Sequence, residues 1–182
     1  MVLAVALRVG LLTSLLWVAC AFAQTESRSA EIQIKAAFLY KFGDFVQWPP
    51  AAFPRPDAPF TIGVLSADDV AAELERVVAG RTVQGRPVAV RRVRRGEPLS
   101  GVHVLFVGQA ESARLGEILA AAKGQPVLTV TESEDALSSG SMINFVAAEE
   151  KVRFDIALPS AERGQLKISS RLLAVARKVL SS

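Results

Sequence analysis

Between Phe60 and Val130, apolar runs too short to be helices alternate with segments of helical spacing, and this alternation restricts the chain more than any other feature. Phe60 to Leu65 reads as a buried strand, and Val88 to Val93, Val102 to Val107 and Val127 to Val130 repeat the pattern. The Val102 run is almost wholly apolar, as a strand covered on both faces would be. Between the strands, Val70, Leu74, Val77 and Val78 follow a helical period; Ser66 or Asp68 can cap that helix and Gly80 can close it. Glu111 to Ala122, with Leu115, Ile118 and Leu119 on one side, is a second helix stopped by Gly124 and Pro126. The alternation predicts a single α/β domain with a central, largely parallel sheet and helices on both faces.

The flanks add to this frame. From Ala30 to Val46, Ile34, Phe38, Phe42 and Phe45 recur at helical spacing, and the helix must end where Trp48 meets Pro49 and Pro50. Three further prolines, Pro54, Pro56 and Pro59, make the following connection stiff and irregular. A turn at Gln84-Gly85 leads into the Val88 strand. Met142 to Ala147 and Val152 to Leu158, joined by residues 148–151, read as an antiparallel C-terminal hairpin. A terminal helix is expected from about Ser169 to Leu180, capped by Ser169 or Ser170 and packed through Leu172, Leu173, Val175, Ala176 and Val179.

Residues 1–23 have the form of a secretory leader: Arg8, an apolar run from Val9 to Phe22, and the small-x-small ending Ala21-Phe22-Ala23. The run is too short to span a bilayer, which takes ~20 apolar residues. Cleavage after Ala23 is expected in preference to lipidation at Cys20, because Trp17 stands where a small aliphatic residue is usual. Residues 24–182 then form one domain in the periplasm, without the chain's single cysteine and so without a disulfide. Lys plus Arg number 21 against 18 for Asp plus Glu, too close to balance to imply a charged partner.

Catalytic chemistry is hard to assemble from these residues. The only histidine, His103, lies in an apolar strand run, and no Gly-x-Ser-x-Gly elbow accompanies it. One histidine and no mature cysteine make a zinc site unlike any common ligand set, and neither a phosphate loop nor a dinucleotide fingerprint occurs. No cofactor and no metal are therefore expected, and Gly140-Ser141 reads as a tight turn. Asp68-Asp69 and Glu149-Glu150 read as helix-start charge and hairpin solubility. The basic run Arg86, Arg91, Arg92, Arg94 and Arg95 reads first as a solvated edge that discourages strand pairing, and otherwise as a contact for an acidic partner or a patch attracted to anionic lipid. A nucleic-acid partner is not expected outside the cytoplasm. Phe38 and Phe45 suit a core, whereas Trp48 suits a core, an interface or a ligand pocket.

Several segments carry a resemblance: Lys35 to Phe42, Phe45 to Pro49, Leu128 to Val130, Gly140 to Ile143, Arg153 to Ile156, and Leu166 to Leu173. Together they resemble the YfiR family, small exported proteins that restrain a membrane-bound diguanylate cyclase from the outer side of the inner membrane. The resemblance implies a non-enzymatic repressor of cyclic di-GMP synthesis. Its partner would be the periplasmic sensor region of an inner-membrane cyclase, with an outer-membrane lipoprotein as a further candidate and a homodimer as the working form. Trp48, Asn144, Arg153 and Arg171, each polar or amphipathic within a family-like segment, are the expected contact residues. Relatives often pair cysteines in strands that align near Gly63 and Val102; this chain has none there, so redox control is not implied for it. Two other classes stay open. One is a small-ligand sensor for a histidine kinase or transporter, with Trp48, Arg153 and the Gly140 turn around a pocket. The other is a hydrolase acting through a carboxylate.

Overall fold

The computed structural model describes residues 26–149 and 151–181; the expected leader over residues 1–23, with Cys20, lies outside them. Helical spacing of the first aromatic residues gives α1 over residues 26–45. Its inner side buries Ala36, Leu39 and Phe42, with Phe38 and Phe45 packed beside them. The helix gives way at β1 (Val46–Gln47), and Pro49 and Pro50 lead into a 3-10 turn at Pro50–Ala52. The next strands are β2 (Phe60–Leu65), β3 (Thr82–Val83), β4 (Arg86–Val93), β5 (Val104–Val107) and β6 (Leu128–Thr131). The hairpin strands are β7 (Ile143–Ala148) and β8 (Lys151–Ala157), followed by β9 (Lys167–Ile168) and β10 (Lys178–Leu180).

Eight of these strands form one sheet in the order β10-β8-β7-β6-β5-β2-β4-β3, while β1 and β9 pair antiparallel in a ribbon of their own. The centre is parallel: β4 with β2, β2 with β5, β5 with β6, and β6 with β7. Antiparallel pairs lie toward the margins, β7 with β8 and β3 with β4. The β3–β4 turn is Gln84-Gly85, both residues at positive φ (50° and 79°), as the tightest hairpin turns require. The mixed α/β sheet and its antiparallel hairpin are as the apolar periodicity predicts.

Strand alternation sends Ile62, Val64, Val104, Phe106, Leu128 and Val130 to one face, where they pack with α1 and with α2 (Asp68–Val78). Leu65, Leu105 and Val107 go to the other face and meet α3 (Leu115–Ala122). Helices therefore cover both faces. Two short helices, α4 (Leu158–Arg163) and α5 (Ser170–Val175), close the C-terminal end, with Ala161, Leu166 and Leu172 joined to the α1 core. Each fully buried Leu, Ile or Phe contributes about 1.5–3 kcal/mol from burial alone.

Local expectations needed correction at four places. The Glu111–Ala122 segment starts with a 3-10 stretch, Gln109–Arg114, and becomes α-helical only at Leu115. Neither Ser66 nor Asp68 caps α2: the N-cap is Ala67, because the Ser66 hydroxyl is engaged by Glu111. His103 precedes β5 rather than lying within it. The terminal helix is only α5; Ser169 caps it by accepting from the Leu172 N–H at 3.3 Å, but Ala176 turns extended and Arg177 donates its N–H to Phe154 O at 2.9 Å. The remaining residues join the sheet as β10, parallel to β8, because an open edge strand offers them hydrogen bonds that a helix frayed at Ala176 does not.

Candidate functional site

Two crossovers position the part of the sheet where a ligand would ordinarily bind. β2 runs through α2 to β4 on one side, and β5 runs through α3 to β6 on the other, so the strand order reverses between β2 and β5. Open α/β sheets hold ligands outside the carboxyl ends of such a pair. Here that crevice is filled by the chain itself. Glu111, 4% exposed, accepts a hydrogen bond from the Ser66 hydroxyl at 2.7 Å and a forked pair from Arg95 Nε and Nη2 at 3.0 and 2.8 Å. The Ser66 hydrogen bond holds the Glu111 carboxyl below its ordinary range, Arg95 adds to the effect, and burial opposes it. Gly108 packs so tightly on this turn that a Cβ there would press into Ser66 O and reach within 3.0 Å of the Ala67 Cβ. Asp68 and Asp69 at the start of α2 further oppose any phosphate at that helix end.

His103 is equally committed. Its Nδ1 accepts the Thr61 N–H at 3.0 Å, so Nε2 carries the proton and donates to Ala52 O at 3.2 Å. The ring is 1% exposed and stacks on Phe53 and Phe60, with centroids at 4.4 and 5.1 Å. Burial, with Arg86 nearby, pushes the imidazole below its ordinary pKa despite the hydrogen bond it donates to Ala52 O. With both nitrogens engaged, the neutral ring has no lone pair to offer a substrate.

The four residues singled out from sequence fall into two places. Trp48 lies inside: Nε1 donates to His103 O at 3.2 Å and the indole meets Phe60 edge-on at 5.0 Å. Arg171 is exposed in α5, just past the β1–β9 ribbon that Trp48 follows. Asn144 and Arg153 share one face of the β7–β8 hairpin, in register opposite Asp155 and Val146. Asn144 is buried and accepts the Thr131 hydroxyl at 2.7 Å, whereas Arg153 is exposed. Trp48, Arg153 and Gly140 do not meet around one cavity. Gly140 lines a hollow of about 530 Å³ with Thr129, Met142, Ser160 and Gly164, and neither Trp48 nor Arg153 is part of its wall.

Most of the basic run is used internally. Arg86 donates to the carbonyls of Arg55, Pro56 and Ala58, Arg91 to those of Pro98 and Ser100, Arg92 pairs with Glu75, and Arg95 with Glu111. Gly63 and Val102, near which the resemblance places a cysteine pair, do lie together: a Cβ on Gly63 would stand 3.1 Å from Val102 Cγ1 and 3.0 Å from Val93 Cγ2. Valine methyls therefore fill the space that a sulfur bridge would occupy.

Sequence reasoning missed two groupings. One is the bidentate pair of Arg177 with the buried Asp155, which fastens β10 to β8; Asp155 sits among apolar residues in Arg153 to Ile156, and that was the signal available. The other is a cleft of about 720 Å³ between α1 and the β7–β8 hairpin, lined by Ile34, Lys35, Glu132, Phe145 and Val152. Lys35 bridges Glu31 and Glu132 there. Burial works against its charge, but hydrogen bonds and charge from Glu132 and Glu31 outweigh that and raise its pKa above the ordinary lysine value. Lys35 and Glu132 are far apart in sequence, and only the fold brings them together.

The switch point of the α/β sheet is thus closed by its own side chains, and the histidine is held in the core by its two hydrogen bonds. Among the described residues, no helix is long and apolar enough to cross a membrane. The sequence model of the family described as YfiR/HmsC-like matches residues 32–177, from α1 to the start of β10, and the chain belongs to that family. The family is regulatory in character and tied to cyclic di-GMP signalling. No curated protein matches the chain.

Proposed function

We propose that this protein is an exported regulator that docks, from the periplasmic side, on the sensor region of an inner-membrane diguanylate cyclase and lowers cyclic di-GMP synthesis without catalysis of its own. The observation that carries the reading is family membership across residues 32–177, which takes in most of α1 and every strand up to β9. The leader-like residues 1–23 and the closed switch point support it. Docking uses the exposed side chains near the two groups of sequence-selected residues. Arg153 contacts the partner on the hairpin face beside Asn144, and Arg171 does so next to the ribbon that follows Trp48. The working form is a homodimer, suited to a two-fold symmetric cyclase, and an outer-membrane lipoprotein relieves repression by sequestering it.

Repression requires only that the protein bind the inactive cyclase better than the active one; about 1.4 kcal/mol of preference moves that equilibrium tenfold. The test is co-expression with the cognate cyclase and measurement of cellular cyclic di-GMP. The proposal expects a fall with the wild type, and a weaker fall with Arg153→Glu and Arg171→Glu at unchanged thermal stability. Unchanged cyclic di-GMP on co-expression with the wild type would sink it.

A further inference from the structure

Residues 49–59 form a strap across the start of β2 and β5, and its fastenings converge on His103. Ala52 O accepts from the imidazole Nε2–H, and Phe53 lies against the same ring at 4.4 Å. On the strap's far side the Arg86 guanidinium sits 3.9 Å from the Phe53 ring centroid and donates to the Arg55, Pro56 and Ala58 carbonyls. Inward, imidazole Nδ1 stands in for a strand carbonyl by accepting the Thr61 N–H. The backbone oxygen of the same residue receives the Trp48 indole N–H. The strap, β2 and Trp48 are thus joined through one titratable residue.

We propose that His103 is a proton-operated latch: neutral, it holds the strap against the imidazole at the start of β2; protonated, it releases the strap. A second ring proton would place Nδ1–H against the Thr61 N–H, two donors with no acceptor between them, in a site that is 1% exposed. The surroundings offer the imidazolium no compensation. β2 presents Phe60 and Thr61, the end of β1 presents Trp48, and the strap presents Phe53 and Ala52. β4 contributes Arg86, a like charge. The strap's own ions, Arg55 and Asp57, pair with each other in solvent at 3.5 Å. Once the strap opens, the ring is in water and titrates near its ordinary value of 6.5. The open population therefore grows up to about tenfold for each pH unit below that value, until the closed form also protonates.

Hydrogen exchange followed by peptide mass spectrometry on the wild-type chain from pH 7.5 to 5.0, corrected for the intrinsic rate, reads the strap. Protection of residues 50–58 and of Thr61 is expected to fall by about a factor of ten per pH unit below 6.5 while β5 and β6 keep theirs. In His103→Asn, whose amide oxygen can accept from Thr61 but does not titrate, the strap's protection should be flat over the same range. Unchanged protection in the wild type, the same loss in His103→Asn, or loss shared by every strand would overturn the latch. If His103→Asn does not fold, the ring C–H resonances of the wild type decide, since His103 is the only histidine. Ring and strap must titrate together, and a ring that titrates with the strap unmoved refutes the proposal.

Discussion

Replacing Phe42 by alanine tests whether α1 is part of the core or a helix held in reserve for a partner. Phe42 is fully buried, and its ring lies 5.3 Å from Phe154 at 78°, 6.0 Å from Phe145 and 6.0 Å from Phe38. Removing a buried phenyl ring costs about 3–5 kcal/mol through lost transfer energy and the cavity left behind. Against a total stability of about 5–15 kcal/mol, that is a large fraction. With a urea slope of about 2 kcal/mol per molar, the midpoint should fall by about 2 M at unchanged slope. Phe42→Leu retains most of the volume and should cost about 1–1.5 kcal/mol. The edge-on contact with Phe154 adds its own check: a double-mutant cycle between Phe42→Ala and Phe154→Ala should return a coupling of about 0.5–1.5 kcal/mol. Ile34→Ala, on the same helix but 41% exposed, should change stability by less than about 0.5 kcal/mol. The reasoning is refuted if Phe42→Ala costs less than about 1 kcal/mol, because the α1 face would then not be packed on the sheet.

Three further expectations concern the elements around that core. Gly108→Ala forces a methyl group onto Ser66 O and should destabilise by about 1–3 kcal/mol in thermal unfolding; an unchanged melting temperature would disprove the close approach. Glu111 has a lowered folded-state pKa, so its contribution is present above its ordinary value near 4.5 and is lost as pH falls below that value toward the folded one. Urea stability of the wild type should decline in that window, and Glu111→Gln should lack that part of the decline. Asp155→Asn removes the carboxylate that holds Arg177, and amide exchange at residues 178–180 should quicken severalfold while β5 stays protected; equal rates would mean that Arg177 does not fasten β10.

The central strands were legible because burial on both faces leaves an unbroken apolar run, as in Val104 to Val107, and α1 because its aromatic residues keep a helical period. The C-terminal segment misled for a physical reason. Leu172, Leu173, Ala176 and Val179 suit a helix, but the open edge of β8 and the carboxylate of Asp155 draw Arg177 to Leu180 into the sheet. Two-residue strands such as β1 and β9 leave no pattern in sequence, since their pairing depends on parts of the chain brought together by everything between. Ser66 looked like a cap because its type is right, yet its hydroxyl is turned to Glu111, a partner 45 positions away. Of the expected contact residues, exposure at Arg153 and Arg171 could not be read from spacing. The burial of Trp48 depends on His103, which no local pattern places beside it.

The pairing of β1 with β9 and of β10 with β8 also bears on the order of events during folding. Val46 meets Ile168, and Leu180 meets Ala157, so β1 waits for β9 about 120 residues later, and the sheet's margin is set by residues 178–180. Contacts this distant along the chain slow the search for the native state. A polypeptide interrupted before Lys167 would have α1, β2 and β5 in hand, yet it would lack the strand that secures α1 at its C-terminal end. Such fragments should persist as loosely packed, protease-sensitive species, and the arrival of residues 167–180, rather than formation of the central strands, should set the moment at which the protein becomes resistant.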